Sequence, residues 1–163
     1  MLKIGEKYYY GGVGVVELID VRSETSLGGL REYYVFRSPL APASSLTYLP
    51  TDSNDLLLRV RPIYTKDEAV EIIMSAKALS GGIEEEGKSA SEKLKRAIYS
   101  GGKETTVLAL AIILSKRGRT GEDKRSFFTD ESLIKKAERL IYSELSESLG
   151  MNESELREYI ERK

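Results

Sequence analysis

The spacing of hydrophobic positions changes once along the chain. Up to residue 64 they fall in short runs rich in β-branched and aromatic side chains: Tyr8, Tyr9 and Tyr10, then residues 13–21, 33–36, 46–50 and 57–60. Such side chains fit a pleated, half-buried surface. Turn-forming residues separate the runs: Gly11 and Gly12, then residues 26–29, 39–45 and 52–55, with Pro62 closing the last strand. Short strands this closely spaced predict a small, strongly bent antiparallel sheet or barrel. A domain of that size is marginal on its own.

From Thr65 the apolar positions recur at helical spacing. Thr65-Lys66-Asp67-Glu68 has the capping-box pattern, in which a hydroxyl and a carboxylate each satisfy an orphan backbone N–H. It opens a helix whose apolar positions are Val70, Ile73, Met74, Ala76 and Leu79. Ser89-Ala90-Ser91-Glu92 repeats the pattern and starts a helix with Leu94, Ala97 and Ile98, which Gly101-Gly102 ends. Within residues 104–115 the run from Val107 to Leu114 is apolar on every face, which marks a buried central helix. Thr129-Asp130 opens a long helix with Leu133, Ile134, Ala137, Leu140, Ile141 and Leu145 on one stripe, and Asn152 to Glu155 cap a last one with Leu156, Tyr159 and Ile160. Segregated strands and helices predict an α+β chain of two modules. The first is a small antiparallel β domain over residues 1–64, and the second an all-helical domain of about five helices over residues 65–163.

Composition narrows the chemistry. Of 163 residues, 31% are charged, yet the net charge is only -1, so the sum implies neither a general nucleic-acid coat nor a strongly acidic surface. There is no cysteine and no histidine, which removes disulfides, thiol nucleophiles, the commonest general base and the commonest metal ligand. No catalytic constellation remains, and no metal, cofactor or small-molecule substrate is expected. The first residues lack an apolar signal region, and no run of apolar residues is long enough to span a bilayer, so a cytoplasmic protein is expected.

Gly11-Gly12-Val13-Gly14 lacks the remaining residues of either phosphate-binding fingerprint and leads into a strand, so it reads as a tight turn. Seven of the ten tyrosines (Tyr8, Tyr9, Tyr10, Tyr33, Tyr34, Tyr48 and Tyr64) lie in the strand half. Neighbours in a strand point to opposite faces, so the run at Tyr8 to Tyr10 is expected to place some rings inside and some outside. Glu84-Glu85-Glu86 reads as a solvated, mobile loop rather than a metal cluster. The middle of the helical half is basic: Lys88, Lys93, Lys95, Arg96, Lys103, Lys116, Arg117, Arg119, Lys124 and Arg125 meet only Glu92, Glu104, Glu122 and Asp123. That stretch is either a phosphate-binding face or a solvated one whose balancing acids sit on a neighbouring helix.

Taken in order, these parts resemble the CarD family and the polymerase-interacting domain of transcription-repair coupling factors. The elements that carry the resemblance are Gly5-Glu6-Lys7, Tyr8-Tyr9-Tyr10, Gly12-Val13-Gly14 and the strand from Val15 to Arg22. They continue through Glu32-Tyr33-Tyr34-Val35-Phe36, Leu46-Thr47-Tyr48-Leu49-Pro50, Leu58-Arg59 and the long helix opening Asp130-Glu131-Ser132-Leu133. The resemblance implies a Tudor/SH3-like N-terminal domain that docks on the RNA polymerase β subunit by edge-to-edge strand pairing. It also implies a helical domain near promoter DNA, where the protein modulates open-complex formation without chemistry of its own. Arg22, at its strand end, matches an arginine that family members direct at the polymerase; Tyr48 and Tyr34 are the further polymerase-binding candidates.

Well-studied members carry a tryptophan wedge that unstacks a base step at the bubble edge. This chain has no tryptophan. DNA contact then rests on Lys88, Lys93, Lys95, Arg96, Lys116, Arg117 and Arg119, and is expected to be weak and largely non-specific. Two other readings stay open: a polymerase-binding adaptor whose helical half recruits a protein, and a small RNA-binding module presenting coplanar, exposed tyrosines.

Overall fold

The computed structural model describes residues 2–39, 45–82, 87–99, 101–118 and 131–162. It has an α+β layout, with a five-stranded antiparallel sheet followed in sequence by helices. Two compact units divide between Ile63 and Tyr64, one residue earlier than the change of period suggests.

In the first unit, β1 (Lys7–Tyr10), β2 (Gly14–Ser26), β3 (Gly29–Arg37), β4 (Leu46–Pro50) and β5 (Val60–Pro62) form one sheet in the order β4-β3-β2-β1-β5. Gly11 to Val13 make the expected tight turn, with the Val13 N–H donating to the Tyr10 carbonyl at 2.9 Å. Gly12 sits at φ 83°, a conformation a side chain would resist. One sheet face buries Tyr8, Val16, Leu18, Tyr34, Phe36 and Leu49. Phe36 is its hub, with the rings of Tyr8, Tyr10 and Tyr34 at 6.5, 6.4 and 6.4 Å. Each large side chain buried this way stabilises the fold by about 1.5–3 kcal/mol.

Three expectations for this unit change. The long hairpin of β2 and β3 continues well past residue 22, so Arg22 lies inside a strand rather than at its end. Leu57 belongs to a helical turn, α1 (Asn54–Leu57), because the Ser53 and Asn54 carbonyls accept from the Leu57 and Leu58 N–H groups at 3.0 and 3.1 Å; the strand begins only at Val60. None of Tyr8, Tyr9 and Tyr10 is exposed: Tyr8 and Tyr9 are buried on opposite faces and Tyr10 is half-buried. Arg61, paired with Tyr9 across β5, places its guanidinium 4.6 Å from that ring.

The second unit comprises α2 (Lys66–Ser80), α3 (Gly87–Tyr99), α4 (Lys103–Gly118), α5 (Glu131–Leu149) and α6 (Glu153–Arg162). The Thr65 capping box forms, with both reciprocal bonds at 3.1 Å, and Asn152 and Glu155 make another at 2.8 and 3.2 Å. α3 starts before Ser89, which therefore lies within its first turn instead of capping it. The Thr129-Asp130 cap and the Glu84 to Glu86 loop lie outside the described residues. α4 is the central helix, packing against α2, α3 and α5 and burying Ala109 to Ile113. On α2 the buried stripe is Ala69, Ile72, Ile73 and Ala76; Met74 and Leu79 fall off that stripe and are exposed. No helix among the described residues is long and apolar enough to cross a membrane.

Candidate functional site

A β-bulge sets which face of the sheet carries Arg22. Register shifts between Leu18 and Asp20, leaving Ile19 as the extra residue. Strict alternation would put Asp20 and Arg22 on the same face as Leu18, which is the core face. After the bulge Val21 faces Tyr34 in the core instead, and Arg22 pairs with Tyr33 on the opposite face. There Arg22 donates from Nε to Asp20 Oδ2 at 2.8 Å and from Nη1 to the Tyr48 hydroxyl at 3.2 Å. The Tyr33 and Tyr48 rings meet edge-on at 6.2 Å, crossing at 84°.

Charge and geometry agree in this cluster. The hydrogen bond from Arg22, reinforced by the Val21 N–H at 2.8 Å, holds the Asp20 carboxyl below its usual range, and Asp20 in turn raises the Arg22 pKa. Asp20, Arg22 and Tyr48 thus form an oriented polar cluster, with Tyr48 on the edge strand β4. Arg22 and Tyr48, chosen from the sequence, are brought into direct contact. Tyr34 is not with them: one residue from Tyr33, it points the other way and is buried against Phe36. Tyr33 and Asp20 take part although the sequence reading passed over them; only the bulge reveals their face. The crossed rings are also not the coplanar tyrosines that base stacking would use.

The basic stretch divides in two. On α3, whose inner side buries Ala90, Leu94, Ala97 and Ile98, the residues Lys88, Lys95 and Arg96 are exposed beside Glu92, and Lys93 is half-buried. Lys116 and Arg117, at the end of α4, are instead engaged. Lys116 is buried and donates to Glu131, so it is not a surface phosphate ligand. Its bond holds the Glu131 carboxyl below the usual range, with Arg117 adding to the effect. Arg119 lies outside the described residues.

Arg117 belongs to a second constellation, centred on Glu138 of α5, whose side chain is 8% exposed. Glu138 Oε2 accepts from Arg117 Nη2 at 2.5 Å, and Oε1 accepts from Arg157 Nη1 of α6 at 3.0 Å. Arg157 also bonds Glu153 at 2.9 Å and lies 4.8 Å from the Tyr142 ring centre. Donating to Glu138 raises the Arg117 pKa. For Arg157, burial works against the charge, but the bonds to Glu153 and Glu138 outweigh it and the pKa rises. Burial, then the Glu138 charge, pushes the Tyr142 phenol up to about 12. Arg117, Lys135, Glu138, Arg139, Glu153 and Arg157 line a cleft of about 400 Å³ here. The sequence reading missed Lys135, Arg139 and Arg157 because acidic residues outnumber them along α5 and α6. Their signal was the i, i+4 spacing of Lys135 and Arg139 off the apolar stripe.

Among the described residues no three acidic side chains are grouped so as to hold a metal ion. No family model matches this chain, and no curated protein matches it.

Proposed function

We propose that this chain is a cytoplasmic, non-enzymatic bacterial transcription regulator of the CarD type, which docks on the RNA polymerase β subunit through its sheet unit and modulates promoter opening. The observation that carries the reading is the Arg22 cluster. An exposed guanidinium fixed by Asp20, on the face opposite the Phe36 core, reaches across β3 to Tyr48 on edge strand β4. An edge strand offers unpaired main-chain donors and acceptors to a partner strand, and a preorganised arginine beside a tyrosine is the composition of an interface hot spot. The order of sequence motifs supports the same partner.

The exposed Lys88, Lys95 and Arg96 of α3 are the residues proposed to meet promoter DNA, as phosphate contacts with little sequence preference. Binding of the full chain to the isolated β lobe of a bacterial polymerase tests the main reading. Arg22→Glu is expected to abolish binding and Tyr48→Ala to weaken it at least tenfold. No binding by the wild type would remove the polymerase from the reading, and equal binding by wild type and both variants would remove the Arg22 cluster from the interface. A Lys95→Glu/Arg96→Glu pair is expected to weaken promoter complexes and to lower their salt slope by about 2. An unchanged slope would move the helical unit to the adaptor reading.

A further inference from the structure

We propose that the cleft between α4, α5 and α6 binds a phosphate group carrying two or more charges, the diphosphate end of a small molecule being its chemistry. The site is separate from the Arg22 cluster and from the α3 face. Its six lining side chains are all charged, four positive (Arg117, Lys135, Arg139, Arg157) and two negative (Glu138, Glu153), so it holds an excess of two positive charges. A wall built only of charged side chains recognises charge before a hydrophobic body.

The largely buried Glu138 does not cancel the cations so much as position them. Each of its oxygens takes one guanidinium, and Arg157 is further fixed by Glu153 and the face of Tyr142. Neither guanidinium exhausts its N–H donors on the partners described, and the planar fork of such donors matches phosphate oxygens. Lys135 and Arg139, one turn apart on α5, have no ion-pair partner among the described residues. Two held arginines and two uncommitted cations around one cleft form a site whose charge a dianionic or more highly charged phosphate would satisfy. A cleft of about 400 Å³ also falls within the usual size of small-ligand sites.

Calorimetric titration of the full-length protein with pyrophosphate, without polymerase, tests this. The expected result is saturable binding that sulfate does not reproduce and that Lys135→Gln/Arg139→Gln weakens at least tenfold. The unliganded melting temperature of that variant and its affinity for a short DNA duplex should stay unchanged. No saturable binding, sulfate binding of equal strength, or equal pyrophosphate binding by the variant would overturn the proposal. A variant that loses duplex binding while keeping pyrophosphate binding would assign the cations to the nucleic-acid backbone and overturn it equally. None of these outcomes depends on whether Arg22 meets the polymerase.

Discussion

Tyr33 and Tyr34 differ by one position and by one face of the sheet, and that difference governs what a substitution at each does. Tyr34 packs its ring on Phe36 at 6.4 Å and is almost fully buried, so Tyr34→Ala is expected to cost about 3–5 kcal/mol in urea unfolding. Arg22→Ala removes an exposed group and is expected to stay within about 0.5 kcal/mol of wild type. Comparable losses at both positions would mean that the faces are assigned wrongly. From the sequence, Glu32 to Phe36 reads equally well with either tyrosine outward, because the two phenols are the same residue type. Tyr142 gives a residue-scale prediction in pH. Burial pushes its phenol up to about 12, against 10.0 for an ordinary tyrosine. The folded state therefore holds the phenolic proton more tightly, and this contribution is complete below pH 10 and lost as pH rises towards 12. At about 1.4 kcal/mol per unit, the wild type should lose about 2–3 kcal/mol more than Tyr142→Phe across that window. Denaturant unfolding at each pH checks it, and parallel curves for the two proteins would contradict it.

Single inserted or capping residues decide the geometry of whole elements. Ile19 is the extra residue of the β2 bulge, and deleting it should restore strict alternation through the rest of the strand. Asp20 would then follow Leu18 directly, so Asp20 and Arg22 would keep the face opposite Phe36 and Leu49, and Val21 would keep its place against Tyr34. The deletion is therefore expected to leave the Arg22 cluster in place, with a denaturant-unfolding midpoint close to that of wild type and β-lobe binding retained. Loss of both would show that the strand had slipped by one residue and changed faces. A bulge leaves no signature in the run from Gly14 to Asp20, which is why strand existence was legible here and side-chain direction was not. Caps behave differently, because their chemistry is local. Thr65 and Glu68 announce the start of α2 in the sequence and make both bonds of the box in the structure. Thr65→Ala should cost about 1 kcal/mol. The same local logic misplaced the start of α3, where helix already exists before Ser89.

At the scale of the molecule, long-range pairing redistributes the charges and draws the boundary between the units. The basic stretch looked continuous because sequence shows only neighbours along the chain. Helix packing brings Glu131 and Glu138 of α5 against Lys116 and Arg117 of α4, converting two apparent surface cations into structural ones and leaving α3 with the exposed set. Tyr64 is the corresponding case for the boundary. By period and composition it ends the strand half. Yet its N–H donates to Glu144 at 3.1 Å, its hydroxyl shares a 2.7 Å hydrogen bond with Thr106, and its ring is buried in the helical unit. These partners lie 80 and 42 residues away, beyond the reach of any local pattern. A fragment of residues 64–163 should therefore unfold at a higher temperature than one of residues 65–163. Loss of a buried aromatic anchor with two hydrogen bonds is worth about 3–5 kcal/mol. For a unit of this size that corresponds to a shift of at least about 10 °C. Tyr64→Phe in the longer fragment should fall between the two, since it keeps the ring and the backbone donor and loses only the bond to Thr106. Identical melting of the two fragments would return Tyr64 to the sheet unit and restore the boundary that the sequence suggests.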